Sequence, residues 1–144
     1  MANQYKTGRC ACGKVVFEAR LPHEKSIICH CKSCQLRTGS VFGLMIYFKR
    51  GQLSFPQHLL SLFQYRAESG NAMQSHFCKE CGTSLFLTGA LNAGLIGVAG
   101  GCFDNDLSWC KIDREIFCRS KADFVHVNTA VSLETSPRYK PKKV

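Results

Sequence analysis

Seven cysteines stand in three tight groups, and any fold of this chain has to accommodate them. The groups are Cys10-Ala11-Cys12, Cys29-His30-Cys31-Lys32-Ser33-Cys34 and Cys78-Lys79-Glu80-Cys81. Two thiolates spaced C-x-C or C-x-x-C on a tight turn can converge on one tetrahedral ion, at a Zn–S distance of about 2.3 Å. Gly13 and Gly82 follow the first and third groups, and a glycine there admits the positive φ that turns backbone N–H groups toward the sulfurs. Disulfides are the competing use of these residues, but adjacent C-x-C pairs bridge poorly. The start, Met1-Ala2-Asn3-Gln4-Tyr5-Lys6, also lacks the apolar stretch of a secretory leader. A reducing, cytoplasmic setting is therefore expected, in which clustered cysteines bind metal or do redox chemistry.

Counting ligands separates two kinds of site. Two pairs complete a four-thiolate site, which is closed and structural. The remaining group supplies three thiolates and leaves one coordination position open, the feature that distinguishes catalytic from structural zinc. Two zinc ions per chain are expected on this division. His30 or His76 as a fourth ligand would close the second site, but His30 lies between two ligating cysteines, where its ring tends to point away. Cys102, Cys110 and Cys118 fall outside the groups and read as core residues. Cys118 is the one to watch, because adjacent Arg119 could lower its thiol pKa if the sulfur reached solvent.

The length of 144 residues suits one domain, and 45% hydrophobic with 20% charged residues excludes wholesale disorder. The apolar run from Val41 to Phe48 falls far short of the ~20 residues that span a bilayer, so no membrane partner is expected. Lys14–Ala19, Ser26–Cys29, Val41–Phe48, Leu60–Tyr65 and Ser84–Leu87 are rich in β-branched and aromatic residues and read as strands. Glu68-Ser69-Gly70-Asn71 reads as the turn between the last two. Helical periodicity is weak throughout, and five glycines from Gly89 to Gly101 argue against a helix there. The expected fold is mainly β. Residues 1–135 form the domain, and Ser136 to Val144, with Arg138, Lys140, Lys142 and Lys143, reads as an extended basic tail too poor in apolar residues to pack.

With these motifs quoted, the sequence resembles the glutathione-dependent formaldehyde-activating enzyme (GFA) or centromere-protein-V-like domain family. The resemblance rests on Gly8-Arg9-Cys10-Ala11-Cys12-Gly13, on Cys29 to Cys34 with Thr38-Gly39-Ser40, on Phe77 to Thr83, and on Ile116-Phe117-Cys118-Arg119-Ser120-Lys121-Ala122. It implies the Mss4-like fold of small antiparallel β-sheets with zinc knuckles. It also implies a structural ion on Cys10, Cys12, Cys78 and Cys81 and an open, catalytic one on Cys29, Cys31 and Cys34. The family is assigned carbon–sulfur lyase chemistry, the reversible addition of glutathione to formaldehyde. Glu115 and Phe124 stand where members often carry His and Trp, which bears on the substrate more than on the metal.

On this reading a small thiol, such as glutathione, binds the open zinc and adds to an aldehyde. Lys32 and Arg37 flank the cluster and could attract its carboxylates, and Ser40 could meet the carbonyl oxygen. The alternative is a non-catalytic zinc-binding module for nucleic acid or protein partners, which the net charge of +9 suits. Seven metal-bound thiolates and two divalent ions lower that charge to about +6, and the aromatics form no basic–aromatic stripe, so a nucleic-acid face is not expected. Redox repair through Cys118, as in B-type methionine sulfoxide reductases, is a third reading that lacks an arginine-rich approach to that cysteine. The oligomeric state, the thiol and the electrophile are not legible.

Overall fold

The computed structural model describes residues 4–104 and 106–139. Two sheets carry the chain. A three-stranded antiparallel sheet has the order β1-β2-β5, from Tyr5–Arg9, Val16–Arg20 and Leu53–Ser54. A seven-stranded sheet has the order β10-β3-β4-β9-β8-β7-β6. Its strands are β3 Lys25–Cys29, β4 Gly43–Lys49, β6 Leu60–Arg66, β7 Ala72–Cys78, β8 Ser84–Gly89, β9 Leu95–Ala99 and β10 Arg114–Ile116. All of its pairings are antiparallel except that of β10 with β3. The mainly β expectation holds. No helix among the described residues is long and apolar enough to cross a membrane.

Alternation along the strands buries both faces of the larger sheet. One face, with Ile46, Phe48, Leu85, Phe86, Ile96 and Val98, joins Val15, Phe17 and Ala19 in the main core. Phe17 meets Phe86 and Phe103 edge to face at 5.5 and 5.3 Å. The other face gathers Met45, Tyr47 and Leu87, with Ile27, Tyr65 and Met73 beside them. Gly97 on β9 keeps that face open, because a Cβ there would lie 3.0 Å from Tyr47 Cε1 and 3.1 Å from Met45 Cε.

Three local readings are revised. The segment between the Leu60 and Ser84 strands is not turn alone: residues 67–71 reverse the chain and Ala72–Cys78 returns as β7, antiparallel to both neighbours. Its polar run of Gln74-Ser75-His76 hides the strand from a hydrophobicity reading. A single α-helix among the described residues, α1 (Lys32–Thr38), forms despite weak periodicity. It is set by its ends rather than by an apolar face: Cys31 Sγ accepts the Cys34 N–H at 3.3 Å, and Gly39 closes it at φ 70°. The tail is not wholly extended, because Tyr139 packs edge-on against Phe117 at 5.8 Å; Lys140, Lys142 and Lys143 lie outside the described residues.

β10 is pinned by charge. Glu115, 3% exposed, accepts hydrogen bonds from Lys121 Nζ at 2.9 Å and Ser132 Oγ at 2.8 Å, and its other oxygen pairs with His30 Nε2 at 2.9 Å. Burial pushes its pKa up, but Lys121, His30 and Ser132 outweigh it and hold the carboxyl down at about 2, against an ordinary 4.5. A carboxyl depressed on folding stabilises the native state above its unfolded pKa, and that contribution is lost as pH falls toward the folded value. Glu115→Gln should therefore cost on the order of 3 kcal/mol at neutral pH. In urea unfolding series at matched metal content, the gap to wild type should stay flat above about pH 5 and close toward pH 2; a gap independent of pH would contradict the assignment. A second expectation concerns Gly8, where a Cβ would press on the Phe17 ring and the Cys102 carbonyl oxygen, whereas one at Gly51 meets open space. Gly8→Ala should cost about 1–3 kcal/mol in the same assay and Gly51→Ala much less.

Candidate metal centre

The first and third cysteine groups meet at one end of the core. The Sγ atoms of Cys10, Cys12, Cys78 and Cys81 all lie within 4.8 Å of one another. Cys10 and Cys12 are 3.5 Å apart, and Cys12 and Cys78 are 3.8 Å apart. Both knuckles turn as their glycines allow, with Gly13 at φ 78° and Gly82 at φ 77°. Backbone amides then point at sulfur, from Val15 to Cys10 at 3.3 Å and from Glu80 to Cys78 at 3.4 Å. The Thr83 hydroxyl, 3.1 Å from Cys81, helps hold that thiol down at about 5. The Lys14 amide pulls the Cys12 thiol down, but burial and the neighbouring sulfurs raise it to about 11. Four sulfurs so gathered suit a thiophilic divalent ion with no position to spare.

Cys29, Cys31 and Cys34 also gather their sulfurs within 4.8 Å, and no fourth Cys, His, Asp or Glu among the described residues joins them. Cys29 ends β3, Cys31 caps α1 and Cys34 stands one turn into it, which brings the last two to one side. Hydrogen bonds from Cys31 and Cys34, then burial, push the Cys29 thiol up. Contact with Cys29 pulls the Cys31 thiol down, but Cys34 and burial raise it to about 12. Cys29 and Cys31, with the Arg37 guanidinium, hold Cys34 well below its ordinary value. One sulfur thus carries the charge of the trio in the absence of a cation, and a divalent ion would release the other two protons. The donor set fits such an ion.

His30 and His76 do not join the sulfurs. The His30 ring is fully buried on the Glu115 pair described above, and His76 Nε2 lies 2.9 Å from Thr88 Oγ1. His30, Glu115 and Cys118 form a third close group, but the Glu115 carboxylate is already engaged by His30 Nε2, Lys121 and Ser132, while His30 Nδ1 is buried without a partner. Arg119 does not activate Cys118: its guanidinium bonds Glu68 Oε1 at 3.0 Å and the Tyr139 hydroxyl at 3.2 Å. Burial and then Glu115 push the Cys118 thiol up, burial raises the Cys102 thiol to about 11, and burial also pushes the Cys110 thiol up.

The three-sulfur group opens on a cavity of about 390 Å³ floored by the second face of the larger sheet. Phe117 closes the sulfur end. It sits at φ 56°, a left-handed backbone that a bulky residue rarely takes, and its ring is buried against Cys31 and Cys34. The expected substrate contacts are placed differently from the sequence reading. Lys32 is exposed, and its amide N–H, not its ammonium, is engaged, on Glu68 Oε2 at 2.8 Å. Ser40 is exposed and donates its N–H to Thr38 Oγ1. Arg37 turns to the sulfurs, with its Nε and Nη2 buried and without hydrogen-bond partners. The cations on the cavity are Lys25, Arg114 and Arg138, which sequence reasoning missed. Strand alternation could have found Lys25: Lys25, Ile27 and Cys29 share one face of β3 and all three line the cavity.

Comparison with known proteins agrees with this architecture. A crystal structure of a Rhodobacter sphaeroides protein, a structural genomics target, superposes with a TM-score of 0.56 at 21% identity, over 72% of this chain and 92% of that one. At that identity the likeness shows a shared fold. No curated protein matches the sequence significantly. The family model described as "Glutathione-dependent formaldehyde-activating enzyme" matches residues 5–120, a stretch that holds all seven grouped cysteines, and the chain belongs to the GFA family.

Proposed function

We propose that the chain is an enzyme of the carbon–sulfur lyase type in which Cys29, Cys31 and Cys34 hold zinc, while Cys10, Cys12, Cys78 and Cys81 hold a structural zinc. Its substrates on this reading are a small thiol such as glutathione and an aldehyde such as formaldehyde. The observation that carries the reading is the opening of three sulfurs, without a fourth protein ligand among the described residues, onto a cavity sized for a small molecule. A zinc ion held by these three sulfurs would leave room for an incoming thiol and would favour its thiolate form near neutral pH.

The other roles fall to side chains. Arg37 sets a fixed positive charge beside Cys34 and offsets the excess negative charge of clustered sulfurs. Met45, Leu87 and Phe117 line the cavity with apolar surface and exclude water from the sulfur end. Tyr47 and Tyr65 line it too, and burial raises both hydroxyls, that of Tyr65 to about 12. Both remain protonated and able to donate. In the forward direction the thiolate sulfur bonds to the carbonyl carbon as the carbonyl π bond breaks, the oxygen takes a proton from Tyr65, the assigned donor, and the proton that the thiol released returns to Tyr65 through solvent. The product is an S-hydroxymethyl thioether, and the reverse reaction breaks the same C–S bond.

The test is exchange NMR between glutathione and its formaldehyde adduct with the zinc-loaded protein. Exchange should exceed the spontaneous rate, disappear in Cys34→Ser, and fall about 100-fold in Tyr65→Phe with substrate affinity little changed. Exchange no faster than in buffer would overturn this substrate pair.

A further inference from the structure

We propose that residues 136–139 form a strap over the sulfur end of the cavity, latched by Arg119, which swings aside to pass a thiol and closes over it again. The inference rests on the reading of the three-sulfur group as a thiol-binding site.

The sulfurs lie under cover. Cys31 and Cys34 are only 4% and 9% exposed, so a thiol as large as glutathione reaches an ion on them only if part of the cover moves. Phe117 and Tyr139 both pack on this cluster, but they are held differently. Phe117 is 1% exposed and belongs to a bonded stretch of backbone: its N–H donates to the Thr135 carbonyl at 3.1 Å, and the Cys118 N–H to that of Leu133 at 3.0 Å. Leu133 in turn donates to the Glu115 carbonyl at 3.0 Å.

That backbone pairing ends at Thr135. Beyond it the Tyr139 N–H turns back on the Ser136 carbonyl at 3.2 Å, and Pro137 between them has no N–H to give. Side chains then tie the segment to the turn at 67–71. Asn71 Nδ2 donates to the Arg138 carbonyl at 3.4 Å. Arg119 lies 5.1 Å over the Tyr139 ring, donates to its hydroxyl at 3.2 Å and pairs with Glu68 Oε1 at 3.0 Å. The Arg119 and Glu68 side chains are 40% and 26% exposed, and ion pairs so open to solvent are weak. Segments held in this way open locally at little cost while the core stays folded.

The latch joins two walls of one cavity. Ser136 and Pro137 line it from the strap, and Ala67, Ser69 and Asn71 line it from the turn that carries Glu68. The cavity of about 390 Å³ exists with the strap in place, so a bound thiol is enclosed by the closed strap rather than competing with it. The strap is therefore a gate on passage, as lids are in many enzymes.

A gate and a binding contact differ in kinetics. Loosening a gate speeds entry and exit alike, whereas removing a contact acts mainly on exit. The experiment mixes cobalt-loaded protein with glutathione by stopped flow and follows the sulfur-to-cobalt charge-transfer band. Tyr139→Ala should raise the association and dissociation rate constants together, each about tenfold, with Kd changed less than about threefold. Arg119→Ala, an exposed substitution, should raise both about threefold and carries the test should Tyr139→Ala not fold. A rise in one rate constant alone, or in neither, would overturn the strap and leave the thiol-binding reading standing. A band that glutathione does not perturb in wild type would overturn both.

Discussion

Clustered sulfurs cannot all ionise without a cation, and the structure is arranged around that constraint. Cys29, Cys31 and Cys34 lie close enough that one thiol is held down only by pushing the other two up. Arg37 supplies one fixed positive charge, and the rest is left for an ion. The four-sulfur group differs in kind. Amide donors from Val15 and Glu80 and the Thr83 hydroxyl meet three of its sulfurs, Cys12 completes the four, and the group ties Cys10, after β1, to Cys78, at the end of β7. One group is built to close, the other to remain open on one side.

The larger sheet turns this local chemistry into a site. Because side chains alternate, the strands that bury Ile46, Phe48 and Val98 in the main core present Met45, Tyr47 and Ile27 to the cavity. The parallel pairing of β10 with β3 sets Ile116 beside Cys29 and Arg114 beside Ile27. It also places Glu115 on the opposite side, where His30 waits. The residue between two candidate ligands is thus anchored away from the sulfurs, and the cysteines on either side of it are free to face the cavity.

Much of this was legible in the sequence because cysteine spacing and knuckle glycines act locally. Gly13 and Gly82 take the positive φ that their positions suggest, and the strands around Val16, Ile27, Met45 and Leu62 follow from β-branched and aromatic content. What was hidden depends on distant partners. β7 is polar and exists through its ladders to β6 and β8. α1 is capped by a candidate metal ligand, a use of cysteine that propensity does not encode. Lys25, Arg114 and Arg138 come from three separate segments, so only the assembled sheet reveals them as one group. Arg37 and Lys32 flank the same motif, yet one faces sulfur and the other solvent, a distinction fixed by the helix rather than by proximity in the chain.

The central claim is that the chain holds two separable metal sites, one closed and one open. The most direct test is elemental analysis of zinc per folded chain, purified under reducing conditions, for wild type and for the combined variant Cys29→Ser, Cys31→Ser, Cys34→Ser. The account predicts about two ions in the first and about one in the second, with the variant still folded, because three sulfurs hold one ion and four hold the other. One ion in both proteins would contradict it.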